Sequence, residues 1–279
     1  MNVRGALVLL LALAALGAAS CGAPLMKLPR LAPGAGEPAP DAADALAQAT
    51  AACRAVRTLT AEVAVRGSAN GRRVRGRLSA GVSAPASARL EAVAPFGAPL
   101  FIFVASGGDA TLLLPRDNRV FEHGHPDTVL EAAAGVPLSA EDLHQILTGC
   151  APGAAVRSAG QHGKDWRVVT TVEGDELYVR RVSGAWRLVA VVRHATGEYA
   201  WRAEYREPRH GLPQSVHVVS VEAGRIGAAF DLQLELSQVY TNVALPPEAF
   251  TVRIPPGATH MTLDELRRSG PLAAKSNDQ

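Results

Sequence analysis

The feature that most constrains the fold is an alternation of apolar and polar residues that recurs from residue 59 to residue 239. In segments 59–67 and 73–82 every second residue is apolar or small, which is typical of strands with one buried face. Asn70-Gly71 between them is a strong hairpin signal. Similar segments follow at short spacing, so the sequence predicts about 11 antiparallel strands joined mostly by tight turns. A sheet of this size does not stay flat and must curl or close.

Three segments change from a period of two to the helical period. Residues 41–57 begin with Asp41 after a proline and carry one apolar stripe, so they predict an amphipathic helix. Residues 126–134 and 139–148 predict two short helices in the middle of the sheet, the second with a near capping box. Such helices can cover a curled sheet as a lid. The predicted class is therefore mainly β with α: a half-open barrel with a helical lid over an apolar cavity.

The N-terminus predicts export and lipid attachment. Arg4 precedes an apolar run at 5–16, and small residues then lead to Cys21. This is the layout of a signal peptide, and the run is shorter than the roughly 20 residues of a transmembrane helix. Ala-Ala-Ser-Cys resembles a lipobox, although Ala18 stands where leucine is commonest. We predict that residues 1–20 are removed and that Cys21 carries the lipid anchor; the alternative is an ordinary signal peptide with an incidental cysteine.

Composition divides the remaining chain into three parts. Residues 21–40 are rich in Pro, Ala and Gly without periodicity, which predicts a flexible tether. Residues 41–256 hold the predicted folded domain, and residues 257–279 predict a polar tail that frays. The formal net charge is +2, so no broad attraction to nucleic acid is expected.

Cys53 and Cys150 are the other two cysteines of the chain. In an oxidising compartment two thiols could form one disulfide. Free cysteines are also commonly buried singly. The sequence leaves both possibilities open.

No motif for catalysis, for a cofactor or for a metal is found in the sequence. His123 and His125 form a His-x-His pair, which we interpret as surface loop residues because no cluster of further ligands accompanies them. Gly-x-Ser-x-Gly, His-Glu-x-x-His and phosphate-loop patterns do not occur. Arg73, Arg75 and Arg77 could form a phosphate-binding patch or the solvated outer face of a sheet. We therefore expect neither enzyme activity nor a cofactor.

The stretch from residue 94 to residue 157 resembles the outer-membrane lipoprotein receptor LolB and, more loosely, the periplasmic carrier LolA. The shared features are Ala-Pro-Phe-Gly at 94–97, Gly-Val-Pro-Leu at 135–138, Leu-His-Gln-Ile-Leu-Thr-Gly at 143–149 and Pro-Gly at 152–153. The chain departs from the family in its longer tether, in its extension past residue 246 and in lacking a tryptophan near its start.

The resemblance implies a cavity that accepts the acyl chains of lipoproteins and delivers them into the inner leaflet of the outer membrane. Phe96 stands where LolB-like proteins carry an exposed apolar residue that helps to insert the cargo; the alternative is a side chain folded back over the sheet edge. Gly22 lacks the acidic residue that retains lipoproteins in the inner membrane. The expected location is therefore the outer membrane, facing the periplasm.

The resulting hypothesis is a non-enzymatic, lipid-anchored carrier or receptor. Its expected partners are acylated lipoproteins or lipid, the membrane, and a periplasmic carrier protein. One alternative is a regulatory or scaffolding lipoprotein that uses the same fold to bind a protein, and another is a structural envelope lipoprotein whose cavity is packed solid. The residues expected to line the cavity are Leu90, Phe101, Phe103, Leu112, Leu114, Val129, Leu130, Leu143, Ile146 and Leu147.

Overall fold

A computed structural model describes residues 24–29, 37–92, 98–151, 155–194, 200–222 and 225–269. The helices are α1 (Ala42–Arg54), α2 (Pro126–Ala134), α3 (Ala140–Thr148) and α4 (Leu263–Ser269), with a 3-10 helix at Pro247–Phe250. The strands are β1 (Glu37–Pro38), β2 (Thr58–Ala69), β3 (Arg72–Ser83), β4 (Ser87–Ala92), β5 (Ile102–Ser106), β6 (Asp109–Leu114), β7 (Arg119–Gly124), β8 (Val156–His162), β9 (Trp166–Thr171), β10 (Glu176–Val182), β11 (Ala185–Arg193), β12 (Ala200–Arg206), β13 (Ser215–Glu222), β14 (Arg225–Thr241) and β15 (Thr259–His260). None of the described helices has the length and hydrophobicity needed to span a bilayer.

The strands form one open sheet in the order β1-β8-β9-β10-β11-β12-β13-β14-β2-β3-β4-β5-β6-β7-β15. The pairing is antiparallel throughout, except that β15 runs parallel to β7. Helices α1, α2 and α3 pack on one face, which we call the inner face, and their apolar stripes join its residues in a single core cluster. The opposite face is the outer face. The predicted fold class, a curled open antiparallel sheet with a helical lid, is confirmed.

In the part of the chain that the structure describes, the sheet has fifteen strands, which is more than the about 11 expected from alternation. Strands β1 and β15 have two residues each, too few to show a period. Strand β8 contains no buried residue, so it lacks the apolar positions on which the pattern depends. Alternation therefore detected the strands with one buried face and missed the others.

The local signals for turns and helices agree with the structure at most positions. Asn70 and Gly71 both have positive φ, 48° and 73°, as a two-residue type I′ hairpin requires. The exception is Asp41, whose side chain does not cap α1. Its carboxylate instead accepts hydrogen bonds from Arg167 (Nε to Oδ1, 2.7 Å), and this bond holds the pKa of Asp41 below its usual value.

Besides β1 (Glu37–Pro38), two segments outside the predicted domain are folded. Residues 24–29, assigned above to the flexible tether, lie on the outer face, where Met26 and Leu28 pack against apolar residues of β9, β10 and β11. Residues 259–269, assigned to the fraying tail, form β15 and α4, and the Leu266 side chain is fully buried. Each segment carries too few apolar residues for a periodic pattern, so its order depends on tertiary contacts.

Candidate functional site

The structure brings the residues predicted to line a cavity together on the inner face. They come from β4, β5, β6, α2, α3 and the position before β5, and all belong to the core cluster. None is more than 8% exposed. Their side chains pack against one another here, and two clefts found elsewhere contain none of them. The residues are Leu90, Phe101, Phe103, Leu112, Leu114, Val129, Leu130, Leu143, Ile146 and Leu147.

Helix α3, one half of the lid, is fixed at its C-terminal end by a disulfide. Cys150, just past the helix, is bonded to Cys53 in α1, with Cα atoms 5.5 Å apart and a sequence separation of 97 residues. Of the two possibilities that the sequence left open, the structure therefore has the disulfide. Since α1 packs on β8–β11, the bond ties α3 to that side of the sheet.

The N-terminal end of α3 is fixed by the Asp142 side chain, whose two carboxylate oxygens accept hydrogen bonds from different groups. One carboxylate oxygen, Oδ2, completes the capping box by accepting from the Ser139 backbone N–H at 2.9 Å. The other, Oδ1, accepts from Arg193 Nη1 at 2.6 Å and from Trp201 Nε1 at 3.2 Å. Trp201 is 1% exposed, so its indole N–H has no access to bulk water. Asp142 thus joins α3 to strands β11 and β12.

Helix α2, the other half of the lid, is held mainly by small apolar side chains, unlike α3 with its disulfide and its buried hydrogen bonds. Its buried residues are proline, valine, leucine and two alanines. It packs on β6 and on α4, and Glu131 forms an ion pair with Arg267 at 3.7 Å whose side chains are 30% and 47% exposed. An exposed pair of this kind contributes only about 0–1 kcal/mol. The lid is therefore attached unequally, with α3 more firmly fixed than α2.

The end of α2 is closed by a glycine that no other residue could replace without strain. Gly135 has φ 71°, and a Cβ added there would lie 2.5 Å from Nδ2 of Asn70 at the tip of the β2–β3 hairpin. The helix end therefore lies directly against the Asn70 side chain, and the positive φ of Gly135 favours glycine at this position.

A cleft of about 320 Å³ lies beside this contact, between the hairpin, α2 and α4. Ala132 and Ala133 contribute to its lining and also belong to the core cluster. Arg72 and Arg267 are the cationic residues of its wall. The cleft thus opens beside α2, the more weakly attached half of the lid.

His144 is the buried titratable residue of α3. It is 4% exposed, and its Nε2 has no hydrogen-bond partner among the described residues. Burial lowers the pKa of the imidazole below the ordinary value of 6.5. The ring is therefore held neutral inside the fold while the same ring in the unfolded chain binds a proton near its usual pKa.

We predict that acid weakens the fold through His144. Below pH 6.5 the unfolded chain takes up a proton that the folded chain does not, so stability falls as the pH drops, by at most about 1.4 kcal/mol per pH unit. Urea unfolding of the wild type and of His144→Gln at pH 7.5 and pH 5.5 measures this. The wild type should lose more stability than the variant between the two values; equal losses would contradict the prediction.

Of the other predicted residues, His123 does not contribute to this site. Cys21 and Phe96 lie outside the described residues. His123 is 82% exposed and pairs with Asp109 at 3.4 Å. Within the described ranges, no three His, Cys, Asp or Glu side chains are placed to hold a metal ion.

The residues that fix α3 were missed by the sequence analysis. Arg193 and Trp201 fall on the inner face of β11 and β12, where the alternation calls for apolar residues. An arginine at such a position needs an acidic partner, and an indole N–H needs an acceptor. That signal was present, but only the fold shows that the partner is Asp142.

Comparison with known proteins supports the fold. No model of a protein family matches the chain, and no curated protein matches it. A LolA superfamily protein from Nitrosomonas europaea is similar in structure, at 12% identity and TM-score 0.51, over 76% of this chain and 97% of that one. A DUF1329 family protein from Desulfovibrio piger matches at 10% identity and TM-score 0.47, over 77% and 98%. The Mycobacterium tuberculosis lipoprotein LppX matches at 11% identity and TM-score 0.31, over 74% and 99%.

These values show a LolA-like fold and nothing specific to LolB. The first structure carries that conclusion, since the other two are too distant to support an argument.

Proposed function

We propose that this protein is a lipid-anchored carrier or receptor that takes up the acyl chains of lipoproteins beneath α2 and α3 and releases them into the outer membrane. The observation that carries the proposal is the apolar inner face of a LolA-like sheet, covered by a lid with one firmly and one weakly attached helix. Cys21 would carry the anchor, and a periplasmic carrier would supply the cargo. No chemical step is required.

The interior is filled in this structure, so binding requires α2 to move. Uncovering Val129 and Leu130, the larger buried side chains of α2, costs roughly 3–6 kcal/mol at 1.5–3 kcal/mol per side chain. Burying an acyl chain of about 14 methylene groups contributes about 11 kcal/mol at 0.8 kcal/mol per group. The acyl chain therefore buries more apolar surface than the opening of α2 exposes, and the closed lid keeps the empty protein from exposing an apolar surface.

The cleft beside Gly135 is the proposed point of access. It reaches the core cluster through alanines, which leave more room than larger side chains. Phe96 lies in sequence between β4, whose last residue, Ala92, pairs with Leu78 of β3, and β5. We propose that this segment touches the bilayer during release.

The filled interior also favours a second candidate, a regulatory or scaffolding lipoprotein that binds a protein partner with the same fold. In that case the core would stay closed, and no acyl chain would be found with the protein.

Binding of a fluorescent palmitoylated lipopeptide to the mature Cys21→Ala chain distinguishes the two. We expect saturable binding, and we expect Ala134→Trp, which fills the cleft, to weaken it at least tenfold because the access route is blocked. Ala155→Trp, at an exposed position, is the matched control and should bind as the parent does.

The result that would overturn the proposal is also defined. If the parent retains no lipopeptide, and mass spectrometry of its organic extract shows no lipid while one protein co-purifies, the second candidate is correct. Thermal unfolding of each variant ensures that a loss of binding is not a loss of fold.

A further inference from the structure

We propose that the outer face of the sheet from β12 to β3 lies against the membrane, with its arginines bound to the phosphate groups of anionic lipids. The proposal rests on the lipid anchor of the proposed function and adds to it an orientation and a lipid-recognition surface. Two independent observations support it: the docking of residues 24–29, and an arginine cluster on the same face.

Residues 24–29 are bonded to β12. The Met26 backbone N–H donates to both carboxylate oxygens of Glu204, at 2.8 and 3.0 Å. Arg202 donates to the Met26 carbonyl, and Arg206 donates to the Pro24 carbonyl. Glu204 is 0% exposed and also pairs with Arg202 and Arg206. The segment therefore covers a buried carboxylate and belongs to the folded body.

This docking places the anchor beside the outer face. Three peptide units separate Cys21 from Pro24, so their Cα atoms are at most about 11 Å apart. A bilayer that holds acyl chains on Cys21 must then approach β12 from its outer side. A free tether of twenty residues would have imposed no such orientation.

The strand register connects this point to the β2–β3 hairpin. Glu204 pairs with His217, His217 with Gln233, Gln233 with Arg66, and Arg66 with Arg75. Paired residues of antiparallel strands share a face, so this row crosses the outer face from β12 to β3. Four strand spacings of about 4.8 Å give a span of about 19 Å.

Four arginines lie on β2 and β3, where this row and the two adjacent rows of paired residues end. Arg66, Arg73, Arg75 and Arg77 are exposed, and none forms an ion pair with another described residue. Arg73 lies in the row of Ser68 and Asp231, and Arg77 in the row of Ala64 and Glu235. The sequence analysis left this cluster as either a phosphate-binding patch or a solvated face.

The charge balance of the three rows favours an anionic partner. With Arg202 and Arg206 they hold six arginines and three acids. Glu204 pairs with Arg202 and Arg206, and Asp231 is bonded to His217 at 2.8 Å, so the four exposed arginines face Glu235 as the remaining acid. The guanidinium group matches phosphate in geometry and stays charged at all physiological pH values. A bilayer is the occupant we infer, because the anchor already brings one to this face.

Vesicle sedimentation of the mature Cys21→Ala chain tests the arginine cluster without the anchor. We expect binding to phosphatidylcholine vesicles with about one third phosphatidylglycerol, and weak binding to phosphatidylcholine alone. The change R66Q/R73Q/R75Q/R77Q should weaken it at least tenfold, since each basic residue near an anionic surface contributes about fivefold. The control R54Q/R57Q/R253Q/R268Q removes the same charge from exposed positions elsewhere and should change it less than about twofold.

Quenching by nitroxide-headgroup lipids tests the orientation in the lipidated full-length chain. A fluorophore on Ser68→Cys, on the outer face, should be quenched several-fold more than one on Glu141→Cys, on the exposed side of α3. Equal quenching at the two sites, or equal losses in the two arginine variants, would overturn the proposal. Lipopeptide binding in solution by R66Q/R73Q/R75Q/R77Q should be unchanged, so failure here and failure of the carrier function are separate results.

Discussion

The change C53A/C150A should lower the free energy of unfolding by about 4–5 kcal/mol, because a disulfide that closes a loop of about 100 residues restricts the unfolded chain by that amount in the chain-entropy account. The bond spans 97 residues and joins α1 to the end of α3, so its loss also frees one end of the lid. Urea unfolding followed by tryptophan fluorescence measures the change. Such a loss is a large part of the 5–15 kcal/mol that stabilises most domains.

The control for this prediction is reduction. The wild type in dithiothreitol should unfold at the same urea concentration as C53A/C150A in dithiothreitol, because neither has the bond. If the oxidised wild type and the variant unfold within about 1 kcal/mol of each other, the bond does not stabilise the fold in the way that the loop length implies.

Asp142→Ala should destabilise the protein by about 3–5 kcal/mol, because it leaves a partly buried arginine and an indole N–H without their acceptor. It also removes the capping box, whose loss costs about 1 kcal/mol in typical helices. Thermal or urea unfolding gives the size of the effect, and hydrogen exchange of residues 143–148 gives its location. We expect faster exchange in α3 than in α2 relative to the wild type.

Asp142→Asn removes the negative charge of the side chain and keeps its shape, so it tests the two contributions separately. The amide oxygen can still accept from Trp201 or cap the helix, so this variant should lose less stability than Asp142→Ala. An Asp142→Ala protein within about 1 kcal/mol of the wild type would show that the contacts with Arg193 and Trp201 do not hold α3.

The parts of the fold that the sequence predicted are those set by local patterns. Alternation located β2 and β3, and the helical period located α2 and α3 to within a residue or two. The same apolar positions identified the core members on the inner face. Residue types do not encode volume, so the sequence could not show that the described side chains of the inner face pack against one another beneath the lid.

The missed features all depend on contacts between distant residues. Met26 and Leu28 alternate, but a six-residue segment between prolines gives no usable period, and its place on β12 depends on Glu204, far along the chain. The sequence predicted only the near capping box to which Asp142 belongs, and the second role of this residue arises only when β11 and β12 come beside α3. The arginines of β3 were visible in the sequence, but their relation to the N-terminal segment required the register.

The two edges of the open sheet affect how readily neighbouring molecules of such a protein aggregate. Its edge strands are β1 and β15, each two residues long, and β1 contains Pro38, which has no N–H to offer a neighbour. Unpaired strand edges are templates for polymerisation, and proteins suppress this with very short edges and with proline. The lipid anchor proposed at Cys21 would confine the molecules to two dimensions and raise their encounter rate. The blunted edges would then keep neighbouring copies from adding strand to strand into aggregates at the membrane.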